Sequence, residues 1–175
     1  LMIIIFLIVA FPIFMILSYN HFGHVKLRID SFLDGKTHQI SKSLQSFESG
    51  GFWGKGPGEG FYKKSLPDAH SDFVFAVAAE EYGILLCCLI VIIYGLIVFR
   101  SFLLTLRNTN LFFIICVSGL AFQFGFQSLI HMASNIDLIP TKGMTLPFLS
   151  YGGSSILASA ITAGILLSLT RKNSS

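Results

Sequence analysis

Four apolar runs alternate with polar segments along the chain, and each approaches the roughly 20 residues with which a helix crosses a bilayer. The first run contains Pro12, which a membrane helix tolerates as a kink, and the last is short and rich in Ser, Ala and Gly. The pattern predicts an all-α, polytopic membrane helix bundle with four transmembrane helices. The predicted helices cover residues 1–19, 73–99, 111–133 and 154–169.

The polar connections between these runs are unequal, and they predict an orientation. Residues 20–71 form a long loop, whereas residues 100–110 form a short connection that is basic and without acids. Basic connections face the cytoplasm, so the long loop is expected to be extracytoplasmic. More basic residues lie in the long loops, but there they are diluted and mixed with acids. The dense basic side holds Arg100, Arg107, Arg171 and Lys172.

Composition agrees with a membrane protein and excludes several other classes. Hydrophobic residues make up 53% of the chain and charged residues 12%, against about a quarter charged in soluble domains. The net charge of +3 is not arranged in a basic stripe, so no nucleic acid partner is expected. Cys87, Cys88 and Cys116 lie in apolar runs and are expected to be packing residues. The chain opens inside an apolar run without a charged leader, which indicates the C-terminal part of a longer protein.

Two segments of the long loop have a recognisable pattern. Ile40, Leu44 and Phe47 recur at helical spacing, which predicts a short amphipathic helix. That helix either lies on the membrane surface or covers the protein's own core, and the sequence favours neither. The run Gly50–Gly60 is dense in glycine, which permits tight turns and close approach of the backbone to a neighbour. It lacks the Lys-Ser ending of a nucleotide-binding loop.

The stretch LPDAHSDFVFAVAAEE, Leu66–Glu81, runs from this polar loop directly into an apolar helix. Asp72 therefore stands at the boundary between water and lipid, where an ionisable group is costly unless it has a partner or a task. On a continuous helix of about 100° per residue, Glu80 falls about 80° from Asp72 and Glu81 falls on the opposite side. The face below Asp72 carries small residues instead, namely Ala76, Ala79 and Gly83. At least one of the two glutamates is expected to meet a cation, a polar cavity or a proton.

The third apolar run carries one polar stripe, in which Gln123, Gln127 and His131 are spaced i, i+4 and i+8. Such a stripe is expected to face the bundle interior or water. No second ligand accompanies His131 at helical spacing, so no metal is assigned to it. The irregular segment PTKGMTLPFLSYGGSS follows at residues 140–155. Its GGSS begins the last helix, where free N–H groups bind anions or a serine caps the helix.

Several stretches together resemble one family, the SEDS proteins (shape, elongation, division and sporulation), over nearly the whole chain and in the right order. They are FLDG (32–35), the glycine run (50–60), LPDAHSDFVFAVAAEEYG (66–83) and PTKGMTLPFLSYGGSS (140–155). With Lys142 in its PTKG motif, the chain resembles the division branch of this family rather than the elongation branch. One departure is His131, which stands where the family pattern QA-x-IN has asparagine.

The resemblance implies a ten-span glycosyltransferase of the bacterial cytoplasmic (inner) membrane, at the division septum, of which this chain supplies spans seven to ten. Such enzymes polymerise lipid II into glycan strands with a class B penicillin-binding protein and other divisome membrane proteins. About six spans would then be missing, so activity of this part alone is not expected. The family's essential aspartate lies in an HTDF motif, here HSDF, and corresponds to Asp72.

The implied reaction is attack of a sugar 4-hydroxyl on an anomeric carbon that carries a lipid diphosphate. Asp72 is expected to act as the base, or to hold Mg²⁺ or Mn²⁺ against the diphosphate, and no organic cofactor is expected. The candidate substrate-binding residues are Lys142, Ser154, Ser155, His70, Lys55 and Lys63, and the candidate cavity-lining residues are Glu80, Gln123, Gln127 and His131. Two other functions fit these residues: a lipid II flippase, and a non-catalytic scaffold that binds the penicillin-binding protein.

Overall fold

A computed structural model describes residues 10, 12, 14, 17–33, 38–66, 68–140 and 143–171. All regular structure in these ranges is helical, as predicted. The helices are α1 (Gly23–Leu33), α2 (His38–Gly50), a 3₁₀ turn (Tyr62–Lys64), α3 (Val74–Leu106), α4 (Leu111–Asn135) and α5 (Gly153–Arg171). Asp34, Gly35, Pro67, Lys142 and Lys172 lie outside the described residues, as does most of the predicted first span, 1–19.

Three of these helices, α3, α4 and α5, are long and apolar enough to cross a membrane. Their bounds follow the predicted spans closely, except that α3 continues to Leu106 instead of ending at residue 99. Within this extension the hydroxyls of Ser101 and Thr105 donate to main-chain carbonyls one turn earlier, so they have hydrogen-bond partners inside the helix. Asn110 is the N-cap of α4, and its Oδ1 accepts a hydrogen bond of 3.0 Å from the amide of Phe112.

The chain divides into two compact units, residues 1–38 and 39–175. In the first unit α1 lies within the predicted long loop, and the hydroxyl of Tyr19 donates a hydrogen bond of 2.8 Å to Asp30. The second unit holds α2 from its second residue onward, and α3 to α5. Its core joins α3 to α4, where the rings of Tyr94 and Phe124 stack with centroids 5.3 Å apart. The Tyr94 hydroxyl also donates to the carbonyl of Pro147, which fastens the segment between α4 and α5 to the helix pair.

The antiparallel order of α3, α4 and α5 separates the polar loops from the arginines. Asp72 precedes α3, and the segment between α4 and α5 bonds to the same turn, since the Ser150 hydroxyl donates to the carbonyl of Ser71 at 2.7 Å. Arg100 and Arg171 belong to the opposite ends of α3 and α5. The aspartate and these arginines therefore lie at opposite ends of the bundle.

Helix α3 is interrupted at Gly83, whose φ of 79° and ψ of 179° are not helical. The glycine run fills this break: the amides of Lys55 and Gly56 donate to the carbonyls of Glu80 and Glu81, each at 3.0 Å. On the other side of the break, the amide of Ile84 donates to Gly51 at 2.9 Å. A break in a buried helix leaves main-chain groups unpaired, and the loop supplies their partners.

The prediction that one continuous helix runs from Asp72 through Glu81 and Gly83 is wrong. Helix α3 begins at Val74, so Asp72 lies in the turn before it, and Gly83 marks an interruption. The sequence pattern could not show this because glycine also occurs within regular membrane helices. Ala76 and Ala79 are nonetheless buried, at 0% and 1% exposure, as expected of a packed face.

The alternatives left open for the amphipathic helix are decided by α2. Ile40 and Ser43 are buried, and the Ser43 hydroxyl donates a hydrogen bond of 2.6 Å to the carbonyl of Asn135. Phe47 packs against Phe75 with ring centroids 5.7 Å apart, whereas Leu44 is exposed. Helix α2 therefore covers the protein's own core, with serines on the packed face where the pattern predicted Leu44.

Candidate functional site

Asp72 ends a tight turn whose main chain is held from several directions. Its amide donates to the carbonyl of Asp68 at 2.9 Å, and Asp68 has a φ of 53°. The side chain of Asp72 is half-buried, and its Oδ1 accepts a hydrogen bond of 3.2 Å from the hydroxyl of Ser71. Among the described residues this is the one hydrogen bond to the carboxylate. The turn is thus fixed while the carboxylate keeps capacity to accept protons or hydrogen bonds.

Gly143 forms the wall next to this carboxylate. A Cβ atom at Gly143 would lie 3.2 Å from Oδ2 of Asp72, so a larger residue would crowd the carboxylate. Gly143 also has a φ of 61°, in the left-handed region that favours glycine. The glycine of the PTKG motif therefore permits the close approach of this backbone to Asp72.

Asn135 joins the turn to α4. Its Nδ2 donates to the carbonyls of Asp72 at 3.0 Å and His131 at 2.8 Å, and its Oδ1 accepts from the amide of Ala76 at 3.2 Å. The side chain is fully buried, so these bonds are made without competition from water. The sequence reasoning did not single out Asn135. The sequence does contain a sign of it, because Asn135 follows His131 by four residues, the same spacing that relates Gln123, Gln127 and His131.

His131 is buried directly beside this arrangement, at 0% exposure. Its Nδ1 lies 2.6 Å from the carbonyl oxygen of Met144, the residue after Gly143. Its Nε2 has no hydrogen-bond partner among the described residues.

The candidate His70 lies on the exposed side of the same turn. Its ring faces the ring of Tyr151 edge-on, with centroids 6.0 Å apart, and its carbonyl accepts a hydrogen bond of 2.8 Å from the Tyr151 amide. In this position His70 helps to tie the turn to the segment that leads into α5.

A cavity of about 360 Å³ between α4 and α5 collects four of the predicted residues. They are Gln123, Gln127, Ser154 and Ser155. Gln127 donates a hydrogen bond of 2.9 Å to the carbonyl of Thr145, whose hydroxyl lies 2.5 Å from that of Ser155. The described lining carries amide and hydroxyl groups and no charged side chain.

Glu80 and His131 line neither this cavity nor the apolar groove of about 770 Å³ between α3 and α4. Glu80 is instead fully buried under the loop, where its Oε1 accepts hydrogen bonds from the amides of Phe61 at 2.7 Å and Tyr62 at 3.0 Å. The cavity-lining role of both residues stays a prediction. They are buried polar contacts, because each is covered by a loop that the helical pattern could not place.

The neighbouring Glu81 meets a cation, as expected for one of the two glutamates. Its Oε1 lies 2.6 Å from the ammonium of Lys63, so this candidate for substrate binding already has an ionic partner. The Lys55 side chain is exposed, with its ammonium 6.0 Å from the ring centroid of Tyr62. Lys142, the remaining candidate, lies outside the described residues.

The described residues include no group of three or more metal-ligating side chains. Asp72 is a single half-buried carboxylate, which is too few ligands for a structural metal. Mg²⁺ commonly binds through one or two carboxylates together with substrate phosphates. A divalent cation therefore fits this site only in company with a phosphate-bearing ligand.

Replacing Glu80 by alanine is expected to lower the free energy of unfolding by about 2–4 kcal/mol, because two main-chain amides lose the buried carboxylate that accepts their hydrogen bonds. Thermal unfolding of the purified protein in detergent measures the effect. The matched control is Glu59→Ala, which removes an exposed carboxylate from the same loop and should leave the melting temperature unchanged. Equal melting temperatures for the two variants would show that Glu80 does not anchor the loop.

A family model and individual relatives of this chain point to the same family. The family described as "Cell cycle protein", which comprises FtsW, RodA and SpoVE, matches residues 1–175. The probable peptidoglycan glycosyltransferase FtsW of Caulobacter vibrioides is 42% identical over 158 residues, 89% of this chain and 40% of that protein. The corresponding protein of Pseudoalteromonas translucida is 41% identical over 137 residues, 76% of this chain and 34% of that protein. The chain thus spans less than half the length of these curated relatives.

One solved structure is similar in fold as well as in sequence. It is described as "Structural coordination of polymerization and crosslinking by a peptidoglycan synthase complex". The match has a TM-score of 0.73 and 27% sequence identity, and it covers 95% of this chain and 48% of that one.

Proposed function

The chain belongs to the FtsW, RodA and SpoVE family of cell cycle proteins, and from this premise we propose that it forms the aspartate-bearing part of a peptidoglycan glycosyltransferase. The enzyme polymerises lipid II into glycan strands during septal wall synthesis. The observation that carries the proposal is the half-buried carboxylate of Asp72, held at the end of the bundle opposite the arginines. Relatives at about 40% identity named as glycosyltransferases support the same reaction.

In the proposed reaction the 4-hydroxyl oxygen of one sugar forms a bond to the anomeric carbon of another. The bond between that carbon and the lipid diphosphate breaks, and the diphosphate leaves with the electron pair. Asp72 accepts the proton of the attacking hydroxyl. The carboxylate suits this task because the turn around it is held by main-chain bonds, and one side-chain hydrogen bond leaves its oxygens able to accept.

The leaving diphosphate needs positive charge or N–H donors. We propose that Lys142 and the main-chain amides and hydroxyls of Ser154 and Ser155, at the start of α5, serve this group. His70 and Lys55 are proposed for the exposed sugar–peptide head. A bound Mg²⁺ or Mn²⁺ would be held between Asp72 and the diphosphate and would neutralise the departing charge. Lys63 is the weakest of the candidates, because Glu81 already pairs with it.

We propose a class B penicillin-binding protein as the partner, with the protein in the bacterial inner membrane at the septum. Support for a partner comes from the similar structure, which is described as a synthase complex of polymerisation and crosslinking. Support for a membrane location comes from the three helices that are apolar and long enough to cross a bilayer.

The test is a polymerisation assay with fluorescent lipid II. A fusion carries this chain in place of the matching segment of the Caulobacter vibrioides relative, and it is purified with that relative's transpeptidase partner. We expect a ladder of glycan strands on a gel. A fusion that yields no strands, while the unaltered relative does, would contradict the proposal.

Two further measurements separate the other functions. A flippase would move labelled lipid II between the leaflets of a vesicle without lengthening any glycan. A scaffold would co-purify with the transpeptidase and leave lipid II unpolymerised. Either result together with an empty gel would replace the glycosyltransferase by that function.

A further inference from the structure

The contact between His131 and Met144 fixes which ring nitrogen carries a proton. A carbonyl oxygen can only accept a hydrogen bond, so Nδ1 of His131, 2.6 Å from that oxygen, must be the donor. In the neutral ring Nε2 is then an unprotonated acceptor, and it has no partner among the described residues. The imidazole of His131 therefore donates its hydrogen bond to Met144 through Nδ1–H.

That bond acts on the wall of the Asp72 site. Met144 directly follows Gly143, and a Cβ at Gly143 would come within 3.2 Å of Oδ2 of Asp72. Holding the carbonyl of Met144 therefore holds the backbone of Gly143 against the carboxylate. Further along the segment, Gln127 donates to the carbonyl of Thr145 and the amide of Leu146 donates to the hydroxyl of Ser150, so the bond from His131 is the one that lies nearest to Gly143.

The other side of the site is tied to the same turn of α4. Asn135 donates to the main-chain carbonyls of both Asp72 and His131. The turn bearing His131 is thus bonded to Asp72 through Asn135 and to the neighbour of Gly143 through the imidazole. One helix turn sets the position of both walls.

We propose that His131 is a positioning residue that acts through its Nδ1–H and sets the spacing between the Gly143 backbone and the carboxylate of Asp72. The catalytic consequence rests on the proposed glycosyltransferase function, whereas the positioning itself does not. His131 does not touch the reacting atoms in this assignment. Its Nε2 has no part in the reaction.

Two substitutions separate the ring nitrogens. The amide nitrogen of asparagine is two bonds from Cβ, as is Nδ1 of histidine, so His131→Asn keeps a donor for Met144. The amide nitrogen of glutamine is three bonds from Cβ, as is Nε2, so His131→Gln places its donor elsewhere. The pair therefore distinguishes the two atoms at nearly constant polarity and burial.

The experiment uses the protein purified from its native membrane together with its partner. It measures kcat and KM for lipid II. We expect His131→Asn to retain kcat within about threefold, and His131→Gln to lose between about tenfold and a hundredfold with little change in KM. We expect kcat to change more than KM because moving the Gly143 backbone relative to Asp72 impairs the proton transfer more than it impairs substrate binding.

A second readout is independent of activity. Amide hydrogen exchange over residues 143–146 reports how firmly this segment is held. Exchange should rise in His131→Gln and stay at the wild-type rate in His131→Asn. If the wild-type protein fails to polymerise lipid II, the proposed function is lost, and the exchange result alone still decides the positioning role.

Each other outcome overturns the proposal. If His131→Gln is active and His131→Asn is not, then Nε2 is the working atom. If both variants behave as the wild type, the bond to Met144 positions nothing. If both lose activity and protection equally, a donor at the Nδ1 position is not what matters.

Discussion

Replacing Asp72 by asparagine is expected to lower the rate of lipid II polymerisation by at least about a hundredfold, the usual minimum for a lost general base. Asparagine has the shape of aspartate and can still accept the hydrogen bond from Ser71, but it cannot take the proton of the attacking hydroxyl. It is also a much poorer ligand for a divalent cation. The rate of glycan formation from fluorescent lipid II measures the loss.

The fold should survive this substitution, because the carboxylate is half-buried and its one hydrogen bond is 3.2 Å long. The matched control is Asp68→Asn, in the same turn. The Asp68 side chain is exposed, its carbonyl makes the turn bonds, and asparagine tolerates its φ of 53°. This variant should polymerise lipid II at the wild-type rate. Retained activity in Asp72→Asn would remove Asp72 from the mechanism.

Replacing Gly83 by alanine is expected to lower the free energy of unfolding by more than about 3 kcal/mol, because two penalties add. The φ of 79° and ψ of 179° belong to a region that is essentially restricted to glycine. A Cβ would also lie 2.3 Å from the carbonyl oxygen of Phe52 and 2.6 Å from the amide nitrogen of Gly54. These are main-chain atoms, so no side-chain rotation relieves the clash.

Thermal unfolding in detergent, followed by the fraction of monodisperse protein after heating, measures this loss. The matched control is Gly95→Ala in the same helix, where a Cβ would meet nothing within 4 Å. Helix propensity predicts a gain there of up to about 1 kcal/mol. If Gly83→Ala melts at the temperature of Gly95→Ala, the break in α3 is not needed for the fold.

The glycine run explains why the two effects belong to different parts of the molecule. Gly50 and Gly54 approach the main chain of α3 so closely that a Cβ would lie 2.0 Å from the carbonyl oxygen of Ala79 and 2.3 Å from that of Glu81, respectively. Their role is to let the loop enter the helix break, as the sequence predicted in general terms. The nearest atoms to both glycines belong to α3, so the loop supports the fold, whereas the chemistry is proposed for Asp72.

The sequence by itself determined the helical class, the bounds of the apolar helices and the placement of Asp72 at a polar boundary. Each depends on local composition, since a run of about 20 apolar residues must form a helix in lipid to pair its own main chain. The HSDF and PTKG motifs likewise led to the family, which the match over residues 1–175 confirmed. The spacing of Gln123 and Gln127 predicted that they share a face, and both line the cavity beside α5.

Only the tertiary structure decided what those residues touch. The break at Gly83, the bonds of Asn135 and the contact of His131 with Met144 join positions that lie far apart in the chain or in loops without a periodic pattern. Hydropathy is blind to them because it records how apolar a residue is, not which donor meets which acceptor. Glu80 shows this most clearly, because its carboxylate accepts hydrogen bonds from two main-chain amides of a loop whose position no helical pattern records.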